Sequence, residues 1–393
     1  MVFALFFHHL VEILASPDKN IRNMTLNIII FIFTIIILII GLFFYVKPNR
    51  AVHVLRYINP YWLYINRRKE LILFFVVSLL CFTFLEILTQ IILPVNIMKY
   101  GWVIAPNSTY TVEFDDTPNN TRNITVTYYD YGFKRWGDIN TDKTKVFIIG
   151  DSFTSMNFVS NGEEYYAYLE EEFEKTEFFV YGAGGYSTLQ EFMILDDFID
   201  VIKPDIILWQ FSRNDFLNNY YPYESKSYFD NNRAFRPYLE GNDVVYRIPR
   251  PLSALRKHSA FFHYLLEKYD FVVFKIQLAK IAADLTIIEE LSDEKDDALN
   301  VTVQIMEMVE ERAGDIPIYM FTTSHYTEYE ETICQSVNIT CVYGVAEEVE
   351  IKEEEGLTLR VADGHWNVDG NKVAGEFLVN YFNTYIFPYL EED

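Results

Sequence analysis

The sequence predicts an α/β protein: a three-layer α/β/α sandwich with a mostly parallel sheet, preceded by two apolar helices. Three observations carry this. From residue 145 onward, short β-branched runs alternate with amphipathic helical stretches, the signature of strand–crossover–strand units. Two runs in the first 95 residues are long and apolar enough to cross a bilayer. The charge is divided between the two parts. The chain of 393 residues carries −24 overall, yet residues 1–95 carry about +4 and the remainder about −28. An acidic body of that size repels phosphates, which excludes nucleic acid as a partner.

Taken in order, residues 1–15 are apolar but too short to span, and His8-His9 suggests no metal site. Residues 25–47 and 71–94 are the two expected transmembrane helices. Between them lie Lys47, Arg50, Arg56, Arg67, Arg68 and Lys69, so the positive-inside rule places this loop in the cytoplasm and both termini outside. The expected organisation is a membrane anchor over 1–95, a short β-rich lead-in over 96–144, and a main domain over 145–393. This is a multi-pass protein of the cell membrane with an extracytoplasmic body, and the bilayer is its first partner. Six Asn-x-Ser/Thr sequons (Asn23, Asn107, Asn119, Asn123, Asn300, Asn338) suit that side and a glycoprotein. Glu86, within the second span, is a functional intramembrane carboxylate, or it contacts the partner helix or reaches toward the interface. Cys334 and Cys341 are either a disulfide or two ordinary buried thiols, and Cys81 is a small residue in an apolar helix.

In the lead-in, 109–114 and 124–129 alternate apolar and polar residues around an Asp/Thr/Pro/Asn turn and predict a hairpin. In the main domain, strands are expected at 146–149, 178–181, 206–211, 316–321 and 339–342. Helices are expected at 163–173, 188–202, 299–313, 328–336 and 371–387. A largely helical insertion interrupts this pattern at 216–295, opening with a loop over 218–250.

Four segments fall at strand ends, where open parallel sheets bind ligands. Gly150-Asp151-Ser152-Phe153-Thr154 follows the first strand; a serine there is a helix N-cap or a nucleophile. Gly182-Ala183-Gly184-Gly185 leaves backbone N–H groups at the start of a helix, suited to holding an oxyanion. Ser212-Arg213-Asn214-Asp215 offers a side-chain amide, or an Asx turn. Asp363-Gly364-His365 offers a histidine base with a carboxylate to orient it, or a capping loop with a surface histidine. His325 follows the fourth strand on the same edge, while His53, His258 and His263 lack the spacing of metal ligands.

In this order, the four segments resemble the blocks of the SGNH/GDSL hydrolase superfamily over residues 145–390. The resemblance implies a flavodoxin-like sheet and a serine esterase acting on O-acyl or O-acetyl esters of surface glycans or lipids, without cofactor or metal. It implies Ser152 as nucleophile, His365 as base and Asp363 as its orienting acid. It further implies an oxyanion hole from the amides of Ser152 and Gly185 and the side chain of Asn214. Three positions depart from the common pattern. Asp-x-His replaces Asp-x-x-His, with Ala362 where the acid usually stands, a spacing shared with alginate-acetylation-type members. Val180 and Ser212 stand where Asn and Gly are usual. The resemblance leaves two alternatives: an O-acyltransferase served by a membrane acyl-donor partner, and a non-catalytic glycan-binding or assembly subunit.

Overall fold

The computed structural model describes residues 68–92, 97–102, 104–117, 120–226, 236–247, 259–262, 264–266 and 292–390. The chain divides into two compact units, Met1–Val95 with His258–Tyr264, and Asn96–Lys257 with Leu265–Asp393.

In the first unit, helix α1 runs over Arg68–Ile92. Among the described residues no helix is long and apolar enough to cross a membrane, so the crossing expected at 71–94 is not supported as such. The crossing expected at 25–47 lies outside the described residues. The C-terminal half of α1 carries one charged residue, Glu86. Glu86 accepts hydrogen bonds from Ser259 Oγ (2.6 Å) and from the backbone N–H groups of Ala260 (2.9 Å) and Phe261 (3.2 Å). A carboxylate on the free N–H groups at the start of a helical turn satisfies donors that would otherwise have no partner. The partner helix expected to meet Glu86 lies outside the described residues; what the structure shows is Glu86 bonded to the 259–261 segment. Phe82 packs beside it on Phe262, with ring centroids 5.5 Å apart.

The second unit opens with a short helix, α2 (Ile97–Tyr100), and the expected hairpin, β1 (Ser108–Thr117) and β2 (Asn120–Tyr128), paired antiparallel. The parallel sheet follows: β3 (Thr144–Gly150), β4 (Thr176–Gly182), β5 (Ile206–Phe211), and after the insertion β8 (Ile318–Thr322) and β9 (Thr340–Val342). The spatial order is β4-β3-β5-β8-β9 with every pairing parallel. The order reverses between β3 and β5, which makes the C-terminal end of β3 the topological switch point.

Side-chain alternation sets the layers. Phe147 and Ile149 of β3, with Trp209 of β5, pack under helices α5 (Thr188–Ile202) and α8 (Ser292–Ala313). Val146 and Ile148 face the other way, toward α4 (Tyr165–Glu172), α10 (Val345–Glu354) and α11 (Val368–Tyr385). Three further helices, α3 (Ser152–Ser155), α6 (Asn214–Asn219) and α7 (Tyr221–Lys226), cap strand ends, and α9 (Glu328–Ser336) links β8 to β9. Cys334 of α9 and Cys341 of β9 form a disulfide, which resolves the pair left open by the sequence.

The sequence reading of 218–250 as a loop is corrected. It contains α7 and a hairpin of β6 (Arg236–Glu240) and β7 (Asp243–Arg247), turning at Gly241-Asn242. Strands of five residues with Pro237 and Arg236 inside carry too weak an alternation to stand out. Of the helical part expected beyond, 267–291 lies outside the described residues.

The lead-in protects the sheet edge. Lys134 and Arg135 exchange backbone hydrogen bonds with Val180 (Lys134 N to Val180 O, 2.8 Å; Val180 N to Arg135 O, 3.0 Å), which covers the outer edge of β4 at that residue. Lys134 is fully buried against Glu164 (3.2 Å). Burial pushes its ammonium down to about 8, against the pull of the Glu164 carboxylate. Phe133, also fully buried, touches Trp136, Phe147, Tyr181 and Phe198 with ring centroids 4.7, 5.8, 5.0 and 4.9 Å away. Truncating it removes the wedge that joins lead-in and sheet. Phe133→Ala is expected to cost about 3–5 kcal/mol of unfolding free energy, read by denaturant titration; a loss under about 1 kcal/mol would show the lead-in is dispensable.

Candidate active site

The site begins with the cap of a one-turn helix. Asp151, fully buried, is the N-cap of α3 and accepts a hydrogen bond from Phe153 N (3.0 Å). Its capping leaves Ser152, the first helical residue, with a hydroxyl not needed for local structure. That hydroxyl lies 2.7 Å from His365 Nε2. His365 Nδ1 lies 2.9 Å from Asp363 Oδ1. A carboxylate can only accept, so Nδ1 donates to Asp363 and Nε2 is left to accept from Ser152. Residues 213 positions apart are thus in hydrogen-bond contact, in the geometry of a nucleophile, a base and an orienting acid.

The Asp-x-His spacing has a local explanation. Asp363 Oδ1 also accepts from the backbone N–H of His365 (3.2 Å), so one oxygen holds both the backbone and the ring of the same residue. The helix cap in this loop is Asn367, whose side chain accepts from Gly370 N (2.9 Å). His365 is therefore not spent on capping. Burial raises the Asp363 carboxyl, but its hydrogen bonds and charge interaction with His365 outweigh this and hold it below the usual aspartate value. The carboxylate side chain is 54% exposed, which weakens the interaction by solvent screening.

Two phenyl rings enclose the imidazole. Phe153 lies 4.7 Å away on a tilt of 31°, and Phe158 stacks at 4.3 Å and 29°. The Phe158 loop is held by the hairpin: Asn161 exchanges hydrogen bonds with both backbone groups of Thr127 (2.8 and 3.0 Å), and Phe114 of β1 packs on Phe158 at 5.5 Å. The β-rich lead-in thereby helps build one wall of the site.

The glycine block adjoins the serine directly. A Cβ at Gly184 would lie 3.9 Å from that of Ser152. At Gly182 a Cβ would come within 2.3 Å of Ser155 N, so only glycine lets α3 approach β4 this closely. Gly185 is the third residue of a turn closed by Tyr186 N to Ala183 O (3.0 Å), with φ +72°, the left-handed value that position of a type II turn requires. Ser187 and Gln190 then form a capping box that starts α5.

The third block is tied to the first through a buried hub. Gln210 Oε1 accepts from Asp151 N (3.1 Å) and Thr154 Oγ1 (2.9 Å), while its Nε2 donates to Ser212 Oγ (2.8 Å). Ser212 Oγ is itself 3.2 Å from Asp151 Oδ1. The serine that stands where glycine is usual thus joins the two strand ends. Asn214, half-buried, is the first residue of α6 beyond β5. It shares the sheet edge with Ser152 and Gly185, but no direct contact brings its side chain to the serine. Beneath lie two fully buried acids. Burial, then the charges of Asp215 and Asp151, push the Glu191 carboxyl well up; burial, then Asp151, do the same to Asp215.

Of the other histidines, His325 is engaged by Glu347 (3.3 Å) and Glu350 of α10. His53, His258 and His263 lie outside the described residues. Among the described residues no cluster of three or more His, Cys, Asp or Glu side chains is arranged to hold a metal ion. Gln210 and Phe158 also belong to the site, and the sequence reading did not single them out. Only Gln210 carried a signal, a polar residue inside an apolar strand.

No family profile and no curated protein sequence matches the chain. Among solved structures it is similar to a member of the lipolytic protein G-D-S-L family from Veillonella parvula, at 11% identity and a TM-score of 0.35, covering 61% of this chain and 99% of that one. It is also similar to an acetyl xylan esterase from the rumen bacterium Butyrivibrio proteoclasticus, at 12% identity and a TM-score of 0.31, covering 67% and 66%. In this chain the parallel strand order and the Gly150-Asp151-Ser152 turn stand together at the switch point of the sheet.

Proposed function

We propose that the protein is a serine esterase that hydrolyses O-acyl esters of surface glycans or lipids. The observation that carries this is the 2.7 Å contact of Ser152 Oγ with His365 Nε2, in a ring already oriented by Asp363. Ser152 attacks the ester carbonyl as Nε2 takes its proton. The tetrahedral oxyanion is met by the amides of Ser152 and Gly185 and by the Asn214 side chain. His365 then passes the proton to the leaving alcohol, and water repeats the sequence on the acyl-enzyme. In this reading the 25–47 run and the basic loop after it anchor the chain in the membrane with the body outside. The exposed Leu79, Leu80, Phe84 and Ile87 of α1 suit an apolar surrounding.

Purified full-length protein is expected to release p-nitrophenol from acetate, butyrate or octanoate esters, and Ser152→Ala to lose at least about a thousandfold in kcat. Preference for acetate supports deacetylation of glycans, and preference for octanoate supports lipid substrates. Labelling by a fluorophosphonate without turnover points instead to an acyltransferase, and neither turnover nor labelling to a binding subunit.

Because Asp363 is largely exposed, Asp363→Asn is expected to cost only about ten- to a hundredfold in kcat, well short of the loss for a buried triad acid. The sign of its pH dependence follows from the lowered carboxyl. Its contribution is complete above the ordinary aspartate pKa of about 4 and is lost as pH falls through the lower folded value. The carboxylate therefore stays ionised from pH 6 to 9, and the Asn variant should be the slower enzyme throughout that window; an Asn variant as fast as wild type would refute the assignment. For topology, a cysteine at the exposed Glu355 should react with an impermeant thiol reagent in intact cells, and one at Asn66 should not; the opposite labelling would reverse the orientation.

A further inference from the structure

The least economical group near the site is a fully buried arginine. Arg236, the first residue of β6 in the insertion, has no exposed surface. Its Nη2 donates to the carbonyl oxygen of Gly185 (3.0 Å), and its Nη1 donates to Gln190 Oε1 (3.1 Å). Its Nε is 3.2 Å from Oε2 of Glu224, a buried carboxylate on α7 that also accepts from Tyr238 Oη (2.7 Å). Its guanidinium carbon lies 5.1 Å from the ring centre of Trp102.

Burying a guanidinium costs several kcal/mol per ion, and replacing such an ion pair by apolar residues of similar volume is often neutral or stabilising. Stability alone therefore gives a weak reason for this arrangement. What an apolar residue could not do is grip two points at fixed separation. The planar fork of arginine spans the carbonyl of Gly185 and the side chain that caps α5. It thereby locks the turn in which Gly185 holds its left-handed φ. Glu224 holds the fork from behind, and Trp102 sets its plane.

We propose that Arg236 is a positioning residue for oxyanion stabilisation. By holding the Gly185 carbonyl it fixes the 183–186 turn with the Gly185 N–H aimed at the developing oxyanion. The inference rests on the esterase reading above and deepens it, because it makes the inserted β6–β7 hairpin part of the active site. Preorganised donors of this kind act on the transition state more than on bound substrate.

The test uses the purified full-length wild type with Arg236→Gln and Arg236→Lys. It measures steady-state hydrolysis of p-nitrophenyl acetate and the rate of reaction with a fluorophosphonate, whose adduct at serine is tetrahedral. The expected result for Arg236→Gln is a kcat lower by about ten- to a hundredfold with KM changed less than about threefold, and a parallel loss in fluorophosphonate reactivity. Arg236→Lys keeps the charge but not the fork and should fall between. Folded Arg236→Gln protein with kcat within twofold of wild type overturns the inference, as does a raised KM at unchanged kcat. Should Arg236→Gln not fold, Arg236→Lys decides, and wild-type kcat in that variant overturns it. A wild type inert toward both reagents removes the esterase reading and this inference together; an active wild type with indifferent Arg236 variants removes the inference alone.

Discussion

The structure depends on how the end of one strand is capped. β3 must deliver a serine to the switch point of the sheet, and a chain leaving a strand for a helix must also satisfy the free N–H groups of that helix. Asp151 does the second task, so that Ser152 is released for the first. The carboxylate is buried, and its position is held by Ser212, while Gln210 takes the N–H of the same residue. Three strand ends, β3, β4 and β5, are brought together around this residue. Gly182 allows the approach from one side, and the Gln210–Ser212 pair bridges from the other.

Around that centre the added segments serve the site as well as the fold. The lead-in covers the edge of β4 at Val180 through residues 134 and 135, and its hairpin steadies the loop that lays Phe158 on the imidazole. The insertion sends Arg236 under the glycine turn. The Arg236 contact is fully buried, where a fixed hydrogen bond is stronger than in water and a missing partner costs more. A compact parallel sheet with short strand-end loops thus acquires walls from segments that precede it and interrupt it.

Much of the site was legible because its parts are local. Period-two alternation marks β3 and its neighbours, and the glycines of 182–185 mark a turn that other residues cannot make. The Asp363–His365 contact is settled within three residues by one carboxylate oxygen. The disulfide was open in the sequence because two cysteines seven residues apart are compatible with both states, and only the placement of α9 beside β9 brings them together. The hairpin at 236–247 was missed because strands this short leave too few alternations to read, and because its key residue is a charged one in a buried position.

The sequence by itself determined the fold class, the order of the strands' chemistry and the identity of the groups at their ends, since each follows from patterns confined to a dozen residues. Only the tertiary structure decided which alternatives those groups take. That Ser152 is not the cap, that His365 reaches it across 213 positions, and that Glu86 caps a segment 173 residues away follow from packing between elements distant in the chain. The same holds for Arg236 and Gly185, 51 positions apart. Such contacts leave no local trace, because a buried polar group is chosen for the partner that folding brings to it, and that partner is absent from its own stretch of sequence.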